Sequence, residues 1–556
     1  MSNEFYEIQN LEDNFSLLLT ETSSQVERSF TFIETFSQDL YEKVVQRDDY
    51  IDNLKLTIEN QCFDSLRKLT SKNKEEMSQI RARQIICVNL EKIADFCVNI
   101  CKQVEFIHDK DFWLQFSFQP MCRMIEENLK QIEATLSEKS VAKAMIICRS
   151  ECELDDLFKE NFDQIMLFLR TGEQVDTCVT TLFIFRYLER MGDSLLNIGE
   201  AILLAILGDK IKIRQFEAMQ QSLDQSGMEI PPEKLEVNSF LGTRSGCNIS
   251  RLANEVNQGL SDERREGLFK SGNPEKIERE KDNIEEWSRI KPGLVPKIFS
   301  FQKEPDRSSM LVEFLSGQTL EATIVSCSWL EIDQIMNELK ANIVEIWKKT
   351  AIRKPTPTNY MDQLLKRTEA IRTIHPDIMS DGQIIGGVEI PSAETLVKNC
   401  RHWESRTPAP FSVFGHGDFN VNNVLYDFEK QALHYIDLYR SHRADYLEDV
   451  AVFLVSNFRL PIFDRETRKK INKTIISFYD FAHDFAQKNK DQTFALRLAL
   501  ALARSFMTST RFEQKRKFSR EMGLRSTYLL ERIDRHLSSN GSPVDFSFPR
   551  SILILP

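Results

Sequence analysis

The chain has 556 residues, too many for one ordinary domain, so two or three are expected. Its composition, 41% hydrophobic and 28% charged, provides for real cores. The formal charge of −12 argues against a nucleic-acid partner, because phosphate contacts need Lys and Arg in excess.

Met1-Ser2-Asn3-Glu4 lacks the basic and apolar regions of a secretory signal. The longest apolar run, Ala201 to Leu207, is far shorter than a bilayer span, so no membrane insertion is expected. The 11 Cys are scattered without a CxxC pair, which fits reduced thiols in a cytoplasmic protein.

From residue 10 to about 208 there is almost no Gly or Pro, and apolar residues recur at three and four. Leu182, Phe185, Leu188, Leu195, Leu196 and Ile198 show the pattern. The periodicity predicts six helices, over 11–46, 48–69, 75–107, 118–137, 141–170 and 174–207, forming an antiparallel bundle. Residues 209–236, with Ser226-Gly227 and Pro231-Pro232, read as a linker. From about 237 short β-like segments lead into helices, a strand-rich piece over 411–438, and helices to about 537, an order that suits an α+β domain. The tail 540–556 reads as a loosely attached extension. The expected domains are 1–222, a linker 223–236, 237–540, and a tail 541–556.

The helical half repeats itself. Glu91, Asp95 and Asn99 recur as Glu189, Asp193 and Asn197 at a constant offset of 98, with matching flanks. Ile51-Asp52-Asn53-Leu54 is echoed more weakly by Leu154-Asp155-Asp156-Leu157. Spacing of i, i+4 and i+8 puts each acidic set on one helix face. Carboxylates brought to about 4 Å repel by roughly 4 kcal/mol at intermediate dielectric, so such a cluster wants a cation that oxygen ligands suit. The repeat resembles the PhoU family of phosphate-uptake regulators over about residues 10–208. That resemblance implies two three-helix units, metal at Glu91 and Asp95 and at Glu189 and Asp193 (Fe, Mn or Zn), and a protein partner.

In the second half, His416-Gly417-Asp418-Phe419-Asn420-Val421-Asn422-Asn423-Val424-Leu425 has the logic of phosphoryl transfer. A carboxylate, Asp418, can take the proton of an attacking hydroxyl. An amide oxygen five residues on, Asn423, can hold Mg²⁺. A second carboxylate, Asp437, follows in Tyr435-Ile436-Asp437-Leu438. Val424-Leu425-Tyr426 and Leu433-His434-Tyr435-Ile436 read as two strands around a turn.

These motifs resemble the aminoglycoside phosphotransferase and choline kinase family over about residues 238–537. The resemblance implies an α+β protein-kinase-like fold that uses ATP and Mg²⁺ on a small-molecule hydroxyl acceptor. It assigns Gly242 and Gly246 to the loop over the ATP phosphates, and Lys270 and Glu280 to the phosphate-holding ion pair. Glu313 falls near the adenine hinge, and Asp449 in a scaffolding position. The 28 residues from Gly242 to Lys270 depart from the family pattern. Two functions follow: an active metabolite kinase with the bundle as regulatory module, or a non-catalytic phosphate-signalling regulator whose kinase-like half binds nucleotide. The intact Asp418, Asn423 and Asp437 favour the first. Residues 504–535 carry nine Arg and Lys against four acids, which favours a neutral or anionic acceptor such as a sugar or amino-sugar over an aminoglycoside polycation.

Overall fold

The structure is a computed structural model that describes residues 2–69, 74–226, 235–239, 248–254, 266–378, 382–385 and 388–555. The chain divides into two compact units, Met1–Gly272 with Ser309–Leu311, and Asn273–Ser308 with Val312–Pro556.

The first unit begins with α1 (Ser2–Thr35), α2 (Gln38–Lys68), α3 (Lys74–Val104), the short α4 (Lys110–Trp113), α5 (Gln119–Ser137), α6 (Val141–Thr171), α7 (Val175–Leu207) and α8 (Ile213–Ser226). α1, α2 and α3 pack on one another, α5, α6 and α7 do likewise, and α3 lies along α7. This is a bundle of two three-helix repeats. α7 buries Phe185, Leu188, Met191, Leu195, Ile198, Ile202 and Leu203, among others. A helix apolar nearly all round belongs at the centre, and each such side chain contributes roughly 1.5–3 kcal/mol. Polar groups that enter this core find carbonyls: Trp113 Nε1 donates to Ile33 O at 3.0 Å and Gln25 Nε2 to Ala94 O at 3.3 Å.

Two expectations fail here. One helix over 11–46 was expected, but α1 ends at Thr35, the chain turns at Phe36 with φ 56°, and α2 starts two residues later. Neither Gly nor Pro marks the turn. Phe36 instead joins Phe32, with ring centroids 6.4 Å apart, while the Lys110 ammonium lies 4.2 Å from its ring centre. Those tertiary contacts offset the roughly 1–2 kcal/mol that a left-handed non-glycine residue costs. Nor is 209–236 wholly a linker: α8 is amphipathic and buries Phe216, Met219 and Leu223. The unit continues as antiparallel strands β1 (Leu235–Ser239), β2 (Asn248–Asn254) and β3 (Glu266–Gly272), with Val237 opposite Leu252 and Ile249 opposite Lys270.

The second unit contains α9 (Pro274–Ile290), β4 (Ile298–Gln302), the ends of β5 (Ser308–Glu313), whose Ser309–Leu311 count with the first unit, β6 (Gln318–Thr319), α10 (Leu320–Ser326), α11 (Trp329–Thr350), α12 (Tyr360–Leu365) and α13 (Thr368–Ile374). The hairpin β7 (Gln383–Ile385) and β8 (Val388–Ile390) leads to α14 (Ala393–Ser405) and β9 (Val413–Gly415). There follow β10 (Val424–Asp427), β11 (Ala432–Tyr435), β12 (His442–Ala444), α15 (Leu447–Phe458), α16 (Arg465–Lys488), α17 (Phe494–Ser509) and α18 (Arg516–Ser538). This is an α+β, protein-kinase-like fold. β10 and β11 form the expected hairpin, Val424 opposite Tyr435, and β9 pairs with β12.

The core beneath these strands is aromatic. Tyr446 stacks on Phe411 at 5.4 Å, and Trp347 lies 4.8 Å from Phe485. Within it Arg497, fully buried, bridges Asp445 and Asp491. Tyr360 and Tyr446 hydroxyls donate to those two carboxylates at 2.9 and 2.7 Å. The tail is docked, contrary to expectation. Ile552 and Leu553 are buried, Arg550 pairs with Asp480, and Asn472 Nδ2 donates to Leu555 O at 2.7 Å. Its Ile and Leu residues make docking favourable once α16 and α18 supply a surface, which local composition does not reveal.

Candidate functional site

The loop between β9 and β10 carries Asp418 and Asn423, and Asp437 stands just after β11. Gly417 has φ 75°, and a Cβ there would lie 2.2 Å from Arg440 O, so only glycine fits. The buried Asp449 carboxylate fixes the loop by accepting the N–H groups of His416 at 2.7 Å and Gly417 at 2.9 Å. His416, fully buried, meets Ile436 O through Nε2 at 3.0 Å. Ile436 N–H in turn donates to Asn423 O at 3.0 Å. These bonds hold the loop beside the segment that bears Asp437.

Asn423 Nδ2 donates to Asp418 O at 2.9 Å, so its amide oxygen is the atom left to meet a cation. Asp437 sits in the left-handed region at φ 61°, ψ 57°. Non-glycine strain of this kind collects at functional sites. An amide oxygen and a carboxylate are a donor set that suits Mg²⁺.

Asp418 is partly exposed. Its Oδ2 accepts Arg440 Nη1 at 3.0 Å and its Oδ1 accepts Asn420 Nδ2 at 3.3 Å. Sequence reasoning missed Arg440, although it stands three residues after Asp437. It also missed His442, whose Nε2 lies 3.4 Å from buried Glu448. The hydrogen bond that the ring donates to Glu448 raises the His442 pKa to about 9, so the ring is a cation at neutral pH. The basic stretch 504–535 does not act as one surface. Arg516 pairs with Asp377, Arg535 with Glu531 at 2.6 Å, and Arg525 with Glu521 at 2.9 Å.

The upstream assignments fare variously. Lys270 is buried on β3 of the first unit, and Glu280 is buried on α9 of the second. Glu313 ends β5, and its carboxylate accepts Lys297 N–H at 3.2 Å. Gly242 and Gly246 lie outside the described residues, between the paired strands β1 and β2.

In the bundle, Glu91 and Asp95 of α3 meet Asp52 of α2, one oxygen of each lying within 4.8 Å of the others. Burial first, then neighbouring carboxylates, raise the pKa of both Glu91 and Asp95. Asp48 and Asp52 each have a buried oxygen without a hydrogen-bond partner. Three clustered carboxylates, one of them with an unmet buried oxygen, are a donor set that fits a hard divalent cation. Asp52 was legible only through the weak echo with Asp155. The second copy differs. Glu189 is buried but Arg186 Nη1 lies 2.6 Å from it, and Lys159 lies 3.8 Å from Asp155. Among the described residues, only the first copy brings three carboxylates together at this spacing.

The fold therefore joins a tandem three-helix bundle to a kinase-like unit built around a Asp–Asn–Asp loop. Family comparison agrees: the PhoU domain matches residues 15–104 and 118–202, and the phosphotransferase enzyme family matches residues 389–484. The chain carries two PhoU repeats toward its N-terminus and a phosphotransferase-family domain toward its C-terminus. A PhoU homologue of the phosphate-specific transport system from Clostridium acetobutylicum is 24% identical over 189 residues, 33% of this chain and 84% of the relative. Among solved structures, PhoU from Streptococcus pneumoniae is 18% identical with a TM-score of 0.34, covering 38% of this chain and 99% of that one. An aminoglycoside phosphotransferase from Streptomyces rimosus, determined with ADP and streptomycin, is 13% identical with a TM-score of 0.32, covering 53% and 97%.

Proposed function

We propose that the second half, 237–540, is an ATP- and Mg²⁺-dependent phosphotransferase acting on a hydroxyl of a small metabolite. The bundle, 1–222, is its metal-binding regulatory module, joined by 223–236 and followed by the tail 541–556. The observation that carries this reading is the Asp418 loop. A partly exposed carboxylate, an amide oxygen and a strained second carboxylate are fixed on adjoining segments by Asp449, His416 and Ile436. Asp418 orients the acceptor hydroxyl and holds its proton as the oxygen attacks. Arg440 keeps Asp418 aimed. Asn423 and Asp437 would hold Mg²⁺, which would offset the charge of the ATP phosphates. By the family resemblance Lys270, Glu280, Gly242, Gly246 and Glu313 each serve the nucleotide.

The PhoU repeats support a role in phosphate signalling, with a protein partner for the bundle and Fe, Mn or Zn at its acidic sets. The chemistry is cytoplasmic in character. ATP consumption by the purified chain, with and without a panel of hydroxyl acceptors, tests the enzymatic reading. Saturable Mg-ATP binding with no turnover on any acceptor would favour the alternative, a nucleotide-binding regulator without catalysis.

A further inference from the structure

Cations lie close to Asp418 along the chain segment that follows β11. Arg440 donates to Asp418 at 3.0 Å, and its carbonyl oxygen meets His442 Nδ1 at 2.9 Å. His442 lies 3.4 Å from Glu448, and Glu448 lies 3.7 Å from Arg504 Nη2. Arg504 thus connects to Asp418 through a short run of polar contacts. It is 9% exposed, yet its Nε and Nη2 make no hydrogen bond. A guanidinium presents five donors, and leaving some buried and unmet is costly, which points to acceptor oxygens arriving with a ligand.

Arg511 follows in the turn after α17, donating Nε to Thr508 O at 2.9 Å. Burial first, then the nearby cations Arg367 and Arg440, push its pKa down. Among the described residues no acid lies within ion-pair distance of Arg367 or Arg511. Several acids of the second unit are committed elsewhere. Asp445 and Asp491 serve Arg497, and Asp449 holds the loop. Glu404 accepts the N–H groups of Tyr360 and Met361, Asp362 pairs with Arg401, and Asp377 pairs with Arg516.

We propose that the acceptor is itself an anion, a sugar or polyol bearing a carboxylate or a phosphate monoester, whose charged end is held by Arg504 and Arg511, with Arg367 and Arg440 beside it. This rests on the phosphotransferase reading of Asp418 and narrows the acceptor to one charge class. Arginine forks suit both anions, because each offers two oxygens to parallel N–H donors. The acceptor hydroxyl gives its proton to Asp418, its oxygen bonds the γ-phosphorus of ATP, and ADP leaves with the electrons of the broken P–O bond.

The test uses the full chain and ATP with matched acceptors: glucose, glucosamine, gluconate, glucose 6-phosphate and kanamycin. Expected is a kcat/KM at least about tenfold higher for gluconate or glucose 6-phosphate than for glucose. The preferred one of the two identifies the charged group. Arg511→Gln, a change at a part-exposed residue, should raise KM for that anion about tenfold or more while KM for ATP stays unchanged. Glucose, glucosamine or kanamycin used as well as the anions would overturn the proposal, as would an unchanged KM in Arg511→Gln. A second arm decides the matter without turnover. Inorganic sulfate and gluconate are titrated by calorimetry into the chain loaded with Mg-ADP. Saturable binding that weakens about tenfold in Arg511→Gln is expected. Absent binding, or binding equal in the variant, overturns the anion site and leaves the phosphotransferase reading standing. Failure of the wild type to bind Mg-ADP overturns that reading instead, and the same anion titration without nucleotide then judges the site.

Discussion

Asp418 and Arg440 face each other at 3.0 Å, and this pair sets what single substitutions should do. Asp418→Asn keeps the shape of the side chain and its bond from Asn420 but cannot accept a proton. Transfer should fall by about 10² to 10⁴-fold, with the melting temperature and Mg-ADP affinity near wild type. Near-normal turnover would remove Asp418 from the role of base. His442 gives a pH signature. Its folded pKa, about 9, stands above the ordinary 6.5 because Glu448 hydrogen-bonds the charged ring. A raised folded pKa means that the pair's contribution to stability is complete below pH 6.5 and is lost as pH rises through about 9. The side chain is 42% exposed, so screening keeps the effect modest. Melting of wild type and His442→Gln should differ most near pH 6 and converge toward pH 9.5. A gap that holds constant across that range would refute the linkage.

At the scale of elements, α12, α15, α17 and the turn before α17 meet at Arg497, which is wholly buried between Asp445 and Asp491. Replacing it with Met leaves two carboxylates buried without their cation. Breaking such a pair from one side costs about 3–5 kcal/mol, so urea unfolding of Arg497→Met should show a loss of that order; a loss under about 1 kcal/mol would mean the carboxylates take up protons or water cheaply. The two bundle repeats make a parallel comparison. α2 and α3 bring Asp52, Glu91 and Asp95 together with no ion pair reaching them among the described residues, whereas Arg186 and Lys159 already meet Glu189 and Asp155. Elemental analysis of the full chain should therefore show more metal lost when Glu91 and Asp95 become Ala than when Glu189 and Asp193 do. Equal, near-zero metal in wild type and both variants would return the acids to the role of solvated helix faces.

For the whole molecule, division into two compact units means that unfolding should not be two-state. Scanning calorimetry should resolve more than one transition. Mg-ADP should raise the one that belongs to the kinase-like fold by mass action on its native state. Chelation should lower the other. A single transition moved equally by both treatments would show that the units unfold as one.

The local geometry of the Asp418 loop was legible from sequence because its parts are close along the chain. The loop, the amide five residues on and the hairpin to Asp437 are fixed by turn geometry and β pairing, both local. The bundle was legible for a related reason: a helical period sustained over long segments admits few alternatives, and the repeat at an offset of 98 gives its symmetry. Packing decided what remained. Phe36 ends a helix through contacts with Phe32 and Lys110, against its local preference. The tail docks because α16 and α18 offer it a surface. Asp52 joins Glu91 and Asp95 from another helix, and Arg511 comes near Arg367 and Arg440 from distant parts of the chain. No local pattern encodes these meetings, since each depends on how distant side chains share one volume once the helices have packed.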